Sequence, residues 1–135
     1  MKTITMKNFA GLTYVTVSNI PIKNSDCGAI IDTEPRELEV LVAVALIENK
    51  IPITGAEFRL LKSAINLSND GIAKMLGVSR NTVQKWGKEI EKRLPTPYEM
   101  LVRFLVADAL GIKISSSIEE LRANDKTKKI VLKAA

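Results

Sequence analysis

A chain of 135 residues, 46% apolar and 26% charged, holds enough material for one ordinary domain or two very small ones. Only 4% of the residues are aromatic, so the core must be aliphatic, and the stacking platforms of an RNA or single-strand binder are missing. The net charge is +5, and one cysteine (Cys27) with no histidine excludes an intrachain disulfide, nucleophilic triads that need histidine and most metal sites.

The charge is unevenly spread. Residues 54–93 carry eight basic and four acidic groups, whereas residues 1–53 carry five and six. A basic face suits a phosphate backbone, although a solvated basic surface has the same composition. The longest apolar run, VLVAVALI at 40–47, is too short to span a bilayer. MKTITMKNFAG has no apolar core, so no signal peptide is expected, and with a lone thiol the expected location is the cytoplasm.

In chain order, residues 9–34 read as strands. LTYVTV at 12–17 is β-branched, AII at 29–31 is a second candidate, and IPI at 20–22 is a connector or edge strand. Asn-Ser-Asp and Cys-Gly supply the turns. A β-hairpin or meander of this size is not stable alone and must lean on another element. The text then changes to TEPRELEVLVAVALIENK, a helix over about 35–49 with Thr33 as N-cap and Pro35 and Glu37 in its first turn. Its apolar arc is wide, so it must be covered on more than one side, by the strands or by a second copy of the chain. The paired acids Glu37/Glu39 and Glu119/Glu120 sit near helix starts, where the macrodipole accounts for them.

Ile51-Pro52-Ile53 is a linker and a candidate boundary. This predicts a small β-plus-helix module over 1–51, a helical domain over 52–123 and a basic tail over 124–135. Thr54-x-x-Glu57 is a capping box heading a helix that turns Phe58, Leu61 and Ile65 inward. Ser68 caps a second helix, with Ile72, Leu76 and Met75 as inward candidates. Ser79 caps a third, with Val83 and Trp86 inward. A fourth runs over about 97–110, with Met100, Leu101, Phe104, Leu105 and Leu110 apolar, and stops at Gly111. Ser116-x-x-Glu119 or Ser117-x-x-Glu120 starts a fifth. In the tail KTKKIVLKAA, IVL is either a closing strand or part of a loose arm.

The run GIAKMLGVSRNTVQKW at 71–86 has the link length and glycine that a helix-turn-helix requires. With Val83 and Trp86 inward, Arg80, Asn81, Thr82, Gln84 and Lys85 face out. Asn and Gln pair with adenine, Arg and Lys with guanine, and a Thr methyl touches the thymine methyl, so these five are the candidate base-reading residues. Ser68, Asn69, Ser79, Lys88 and Lys92 are candidate phosphate contacts. A single recognition helix gives a short footprint, so a homodimer on a palindromic double-stranded operator is expected, with the helix at 35–49 or the apolar face of 97–110 as the dimer surface. No phosphate-binding loop or dinucleotide fingerprint occurs, and no enzyme activity or cofactor is expected.

The stretch TGAEFRLLKSAINLSNDGIAKMLGVSRNTVQKWGKEIEKRLPTP resembles the Cro/C1-type (XRE) helix-turn-helix domain, over about residues 54–111, and more specifically the variety found in MqsA-type antitoxins. The Thr-Gly-x-Glu start, Leu-Ser before the second helix, LGVS at the turn and the aromatic ending the third helix carry the likeness. Gly71 and Gly87 depart from it. The resemblance implies a mainly α fold: a five-helix Cro/C1-like domain preceded by a small β-hairpin or meander and one apolar helix. It places the family's base-reading residues on Asn81 and Lys85. It also implies a transcriptional repressor, the antitoxin of a toxin–antitoxin pair that represses its own operon, with a cognate toxin as second partner. FAGLTYVTVSNIPIKNSDCGAIIDTEP is similar to the second half of that family's zinc module. Cys27 falls on its last ligand and Asn24 replaces the preceding cysteine, so the module reads as degenerate and zinc-less, with Cys27 a packed side chain. The alternative is a β region that was never a zinc module. For function, the alternative is a protein-interaction module that neutralises or tethers a partner, using the helix-turn-helix as scaffold; a stand-alone regulator without a toxin is a third reading.

Overall fold

The computed structural model describes residues 2–113 and 129–134. The chain opens with strand β1 (Thr3–Lys7), a short 3-10 turn at Phe9–Gly11, strand β2 (Val15–Ser25) and strand β3 (Gly28–Ile31). Five helices follow: α1 (Pro35–Glu48), α2 (Gly55–Ala64), α3 (Asn69–Leu76), α4 (Arg80–Lys88) and α5 (Thr96–Leu110). Strand β4 (Ile130–Lys133) closes the described chain.

This corrects the mainly α, five-helix Cro/C1-like expectation. The fold is mixed, built around a four-stranded sheet, with only four helices after Pro52 among the described residues. The fifth helix expected from Ser116 or Ser117 lies outside them. The first half of β2 is the centre of the sheet. β1 pairs with it antiparallel (Ile4 opposite Ile20, Met6 opposite Val17), and β4 pairs parallel on its other side (Val15 opposite Ile130, Val17 opposite Leu132). The register sends Val15, Val17, Ile20 and Ile130 into the core, toward Leu38, Val42 and Leu46 of α1. Helix α1 is thus covered by α2, by α5 and by β4 of the sheet, which explains its wide apolar arc. Its N-cap is Glu34 without a side-chain bond, not Thr33.

The strand at 3–7 has no counterpart in the sequence reading. Its side chains are mostly exposed, so TITMK lacks the buried alternation that marks a strand. IPI proves to be the middle of β2, and IVL the closing strand. Beyond Ile22, whose N–H still reaches the Lys2 carbonyl at 3.1 Å, β2 pairs with β3 in a two-stranded ribbon turning at Asp26-Cys27. Cys27 is exposed at that turn rather than packed.

The linker at 51–53 is buried and held by polar bonds. Ile51 and Ile53 are in the core, and the Ile53 N–H donates to Glu99 Oε1 at 2.7 Å. Arg93 grips the same carboxylate with two bonds of 2.9 Å. Buried Arg103 donates through Nη2 to the Ile51 carbonyl at 2.8 Å. Burial pulls the Arg103 pKa down, and the neighbouring Glu99 carboxylate opposes that pull.

Two glycines with opposite surroundings test the packing. A Cβ on Gly55 would lie 2.4 Å from both the Trp86 and Glu89 carbonyl oxygens, because the start of α2 abuts the end of α4. A Cβ on Gly71 would meet only Ser68 Oγ at 3.4 Å and Leu67 Cδ2 at 3.5 Å, ordinary contact distances. In urea titrations Gly71→Ala should stabilise by roughly 0.5–1 kcal/mol through helix propensity. Gly55→Ala should destabilise by about 2–3 kcal/mol through overpacking; equal effects at the two sites would contradict this packing.

Candidate nucleic-acid interface

Helices α3 and α4 are each built by a serine cap. Ser68 Oγ accepts from the Gly71 N–H at 3.1 Å, and Ser79 Oγ accepts from the Thr82 N–H at 3.2 Å. Between them the chain turns at Gly77, whose φ of 69° is left-handed and suits glycine. The Val78 N–H returns to the Ala73 carbonyl at 3.0 Å, closing the helix end. Val78 packs partly into the core beside buried Ile72 and Ala73.

Helix α4 is fixed by its inner face. Val83 and Trp86 are buried, as the sequence spacing predicts. The Trp86 ring lies edge-on to Phe58 of α2 at 5.8 Å and tilted against Tyr98 of α5 at 5.2 Å. Three helices therefore meet on one indole. Met75 departs from the reading: it is exposed on α3.

The outer face of α4 carries the candidate base-reading residues together. Arg80, Asn81 and Lys85 are exposed; Thr82 and Gln84 are half-buried. Two of the cations have carboxylate partners. Arg80 Nε lies 3.4 Å from Asp70 Oδ1 across the α3–α4 corner. Glu89 sits between Lys85 at 3.8 Å and Lys92 at 3.4 Å. The cations are solvent-exposed and Glu89 is half-buried; pairs so open to water are worth little and are displaceable by a phosphate or a base edge. Asn81 and Lys88 make no ion pair or side-chain hydrogen bond among the described residues. Beyond α4, Lys85, Lys92 and Arg93 line a cleft of about 410 Å³ over Trp86 and Thr82.

The candidate phosphate contacts differ in availability. Lys88 and Lys92 are exposed, while the Ser68 and Ser79 hydroxyls are engaged as caps, Ser79 also with Thr82 Oγ1 at 2.9 Å. Lys62 donates to the Asn69 side-chain carbonyl, so Asn69 reaches outward less freely than its position suggests. Burial lowers the Lys62 pKa, and nearby Arg59 lowers it further.

Sequence reasoning missed the two carboxylate partners and the bidentate Glu99 grip on Arg93. The Lys85–Glu89 spacing of four was a readable signal; Asp70–Arg80 and Arg93–Glu99 each cross between elements and were not.

Comparison with known proteins returns no match to a family model, a curated protein or a solved structure. Among the described residues no helix is long and apolar enough to cross a membrane.

Ser79→Ala should cost about 1 kcal/mol of stability in chemical denaturation, the usual worth of such a cap. A change within error would show that the Thr82 N–H does not depend on this hydroxyl.

Proposed function

We propose that this chain is a non-enzymatic, sequence-specific binder of double-stranded DNA, acting in the cytoplasm as a transcriptional repressor. The observation that carries the reading is the outer face of α4: Asn81, Gln84, Arg80 and Lys85 project together from a helix anchored by Val83 and Trp86 and set off by a Gly77 turn. These are the side chains that form bidentate contacts with adenine and guanine in the major groove. Lys88 and Lys92 lie at and just beyond the C-terminal end of α4, where they serve the phosphate backbone. The resemblance to MqsA-type antitoxins extends the proposal to a repressor of its own operon, paired with a toxin.

Two copies on a palindrome follow from one short recognition helix. Of the two dimer surfaces the sequence offers, α1 is largely covered within the chain, whereas α5 leaves Leu101 47% and Phe104 53% exposed. That supports α5 as the dimer face. The second reading, a partner-neutralising module, is favoured by the β2–β3 ribbon. Its Ile30 and Ile31 are exposed and lie outside the core, as befits a surface for another protein.

A salt-dependent shift assay on the chain's upstream DNA tests the main reading. Asn81→Ala and Lys85→Ala should each weaken specific binding about 10–100-fold, and Lys88→Ala should lower the salt slope by about one. Sequence-blind binding unchanged in the Asn81/Lys85 double variant sinks it. If antitoxin activity survives loss of DNA binding, the partner reading takes its place.

By sedimentation, Leu101→Glu with Phe104→Glu should yield a folded monomer. A persistent dimer would move the interface elsewhere.

A further inference from the structure

Between the 3-10 turn at Phe9–Gly11 and α2, a cleft of about 440 Å³ opens where the two halves of the chain meet. Ala10 and Gly11 form one wall, Leu60 of α2 and Ile90, just past α4, form another, and Glu39 and Arg59 supply its charges. Several observations set this cleft apart. The structure corrects the sequence expectation for Glu39: it lies on α1 beyond the first turn, so the macrodipole accounts for Glu37 but not for Glu39. Neither Glu39 nor Arg59 makes a hydrogen bond or ion pair among the described residues, although they share one cleft. Ile90 is 50% exposed at the rim. The Ala10 wall is backbone in the left-handed region, with φ 56° at Asn8, 53° at Ala10 and 81° at Gly11. An alanine there is strained, and strain of this kind gathers at ligand clamps.

A cleft of mixed lining, with an apolar floor at Leu60 and Ile90 and one carboxylate and one guanidinium unpaired among the described residues, is complementary to a small molecule bearing both charges and an aliphatic body. We propose that this cleft binds an aliphatic zwitterion of amino-acid to dipeptide size. Its ammonium goes to Glu39, its carboxylate to Arg59, and its side chain lies on Leu60 and Ile90. The inference is independent of DNA binding, and so is its test.

The test is a two-dimensional NMR titration of the ¹⁵N-labelled full chain, without DNA, using L-leucine and L-alanyl-L-leucine as the short and long probes. The expected result is saturable shifts of the Gly11, Glu39 and Ile90 amides by one of them, with a Kd on the order of 0.1–1 mM, as befits so few heavy atoms. Leucinamide, which lacks the carboxylate, and 4-methylpentanoate, which lacks the ammonium, should bind about tenfold more weakly or not at all. Glu39→Gln and Arg59→Gln, checked for unchanged melting, should each weaken the zwitterion about tenfold. No saturable shift at 20 mM of either probe overturns the proposal, whatever the DNA assays show. Equal binding of the singly charged analogues overturns it as well, since the two charges would then not be the recognised feature.

Discussion

The carboxylate of Glu99 is the point on which the halves of this molecule depend. It is 1% exposed, yet it serves the Ile53 N–H and both arms of the Arg93 fork at once. A buried carboxylate is costly to desolvate, and only a full set of donors makes it tolerable. Here the donors come from the linker and from the segment after α4, while the carboxylate comes from α5. Buried Arg103, one turn further along α5, holds the Ile51 carbonyl. The chain can therefore pass from its β-rich part to its helical part only through one backbone path. The Leu94 N–H adds a bond to the Ile53 carbonyl, and the Gly55 and Ala56 N–H groups find the carbonyls of Lys92 and Ile90. Residues 90–94 thus supply the partners that the open start of α2 lacks.

That arrangement gives the outer face of α4 its rigidity. The end of α4 is pressed against Gly55, the segment behind it is bonded to the linker and to Glu99, and Trp86 is wedged between Phe58 and Tyr98. A helix held at its middle and its end presents its outer side chains in fixed relation to one another, which is the requirement for reading a groove.

Much of this was legible in the sequence, and for a local reason. Capping serines, the turn glycine, the Thr54–Glu57 box and the i, i+3 pair Val83/Trp86 are short-range patterns, and α2 to α5 fall where they point. The legible part of the candidate interface is the same: Arg80 to Lys85 share a face because helical spacing says so. What was illegible depends on distant partners. TITMK becomes a strand only because β2 offers it an edge. For Ile130–Lys133 the sequence left strand and loose arm open, and the strand wins because Ser18 and its neighbours wait more than a hundred residues earlier, Ser18 Oγ bonding the Leu132 carbonyl. Glu99 and Arg103 look like surface charges on an amphipathic helix and are among the most deeply buried side chains of the chain. The mainly α reading failed at the strands β1 and β4, where topology rather than propensity decides.

The parallel pairing of β4 with β2 has a consequence for how the molecule is made. The whole helical part lies between two neighbouring strands of one sheet. During synthesis β1 and β2 emerge early and α1 can settle on them, but the flank of β2 that receives Ile130–Lys133 stays open until that segment has left the ribosome. For that interval the nascent chain carries a bare sheet edge beside a set of helices already able to pack. Closure of the sheet therefore waits for residues 130–133, and a stall before residue 130 would leave a chain with its helices in place and a strand edge ready to pair with a neighbour.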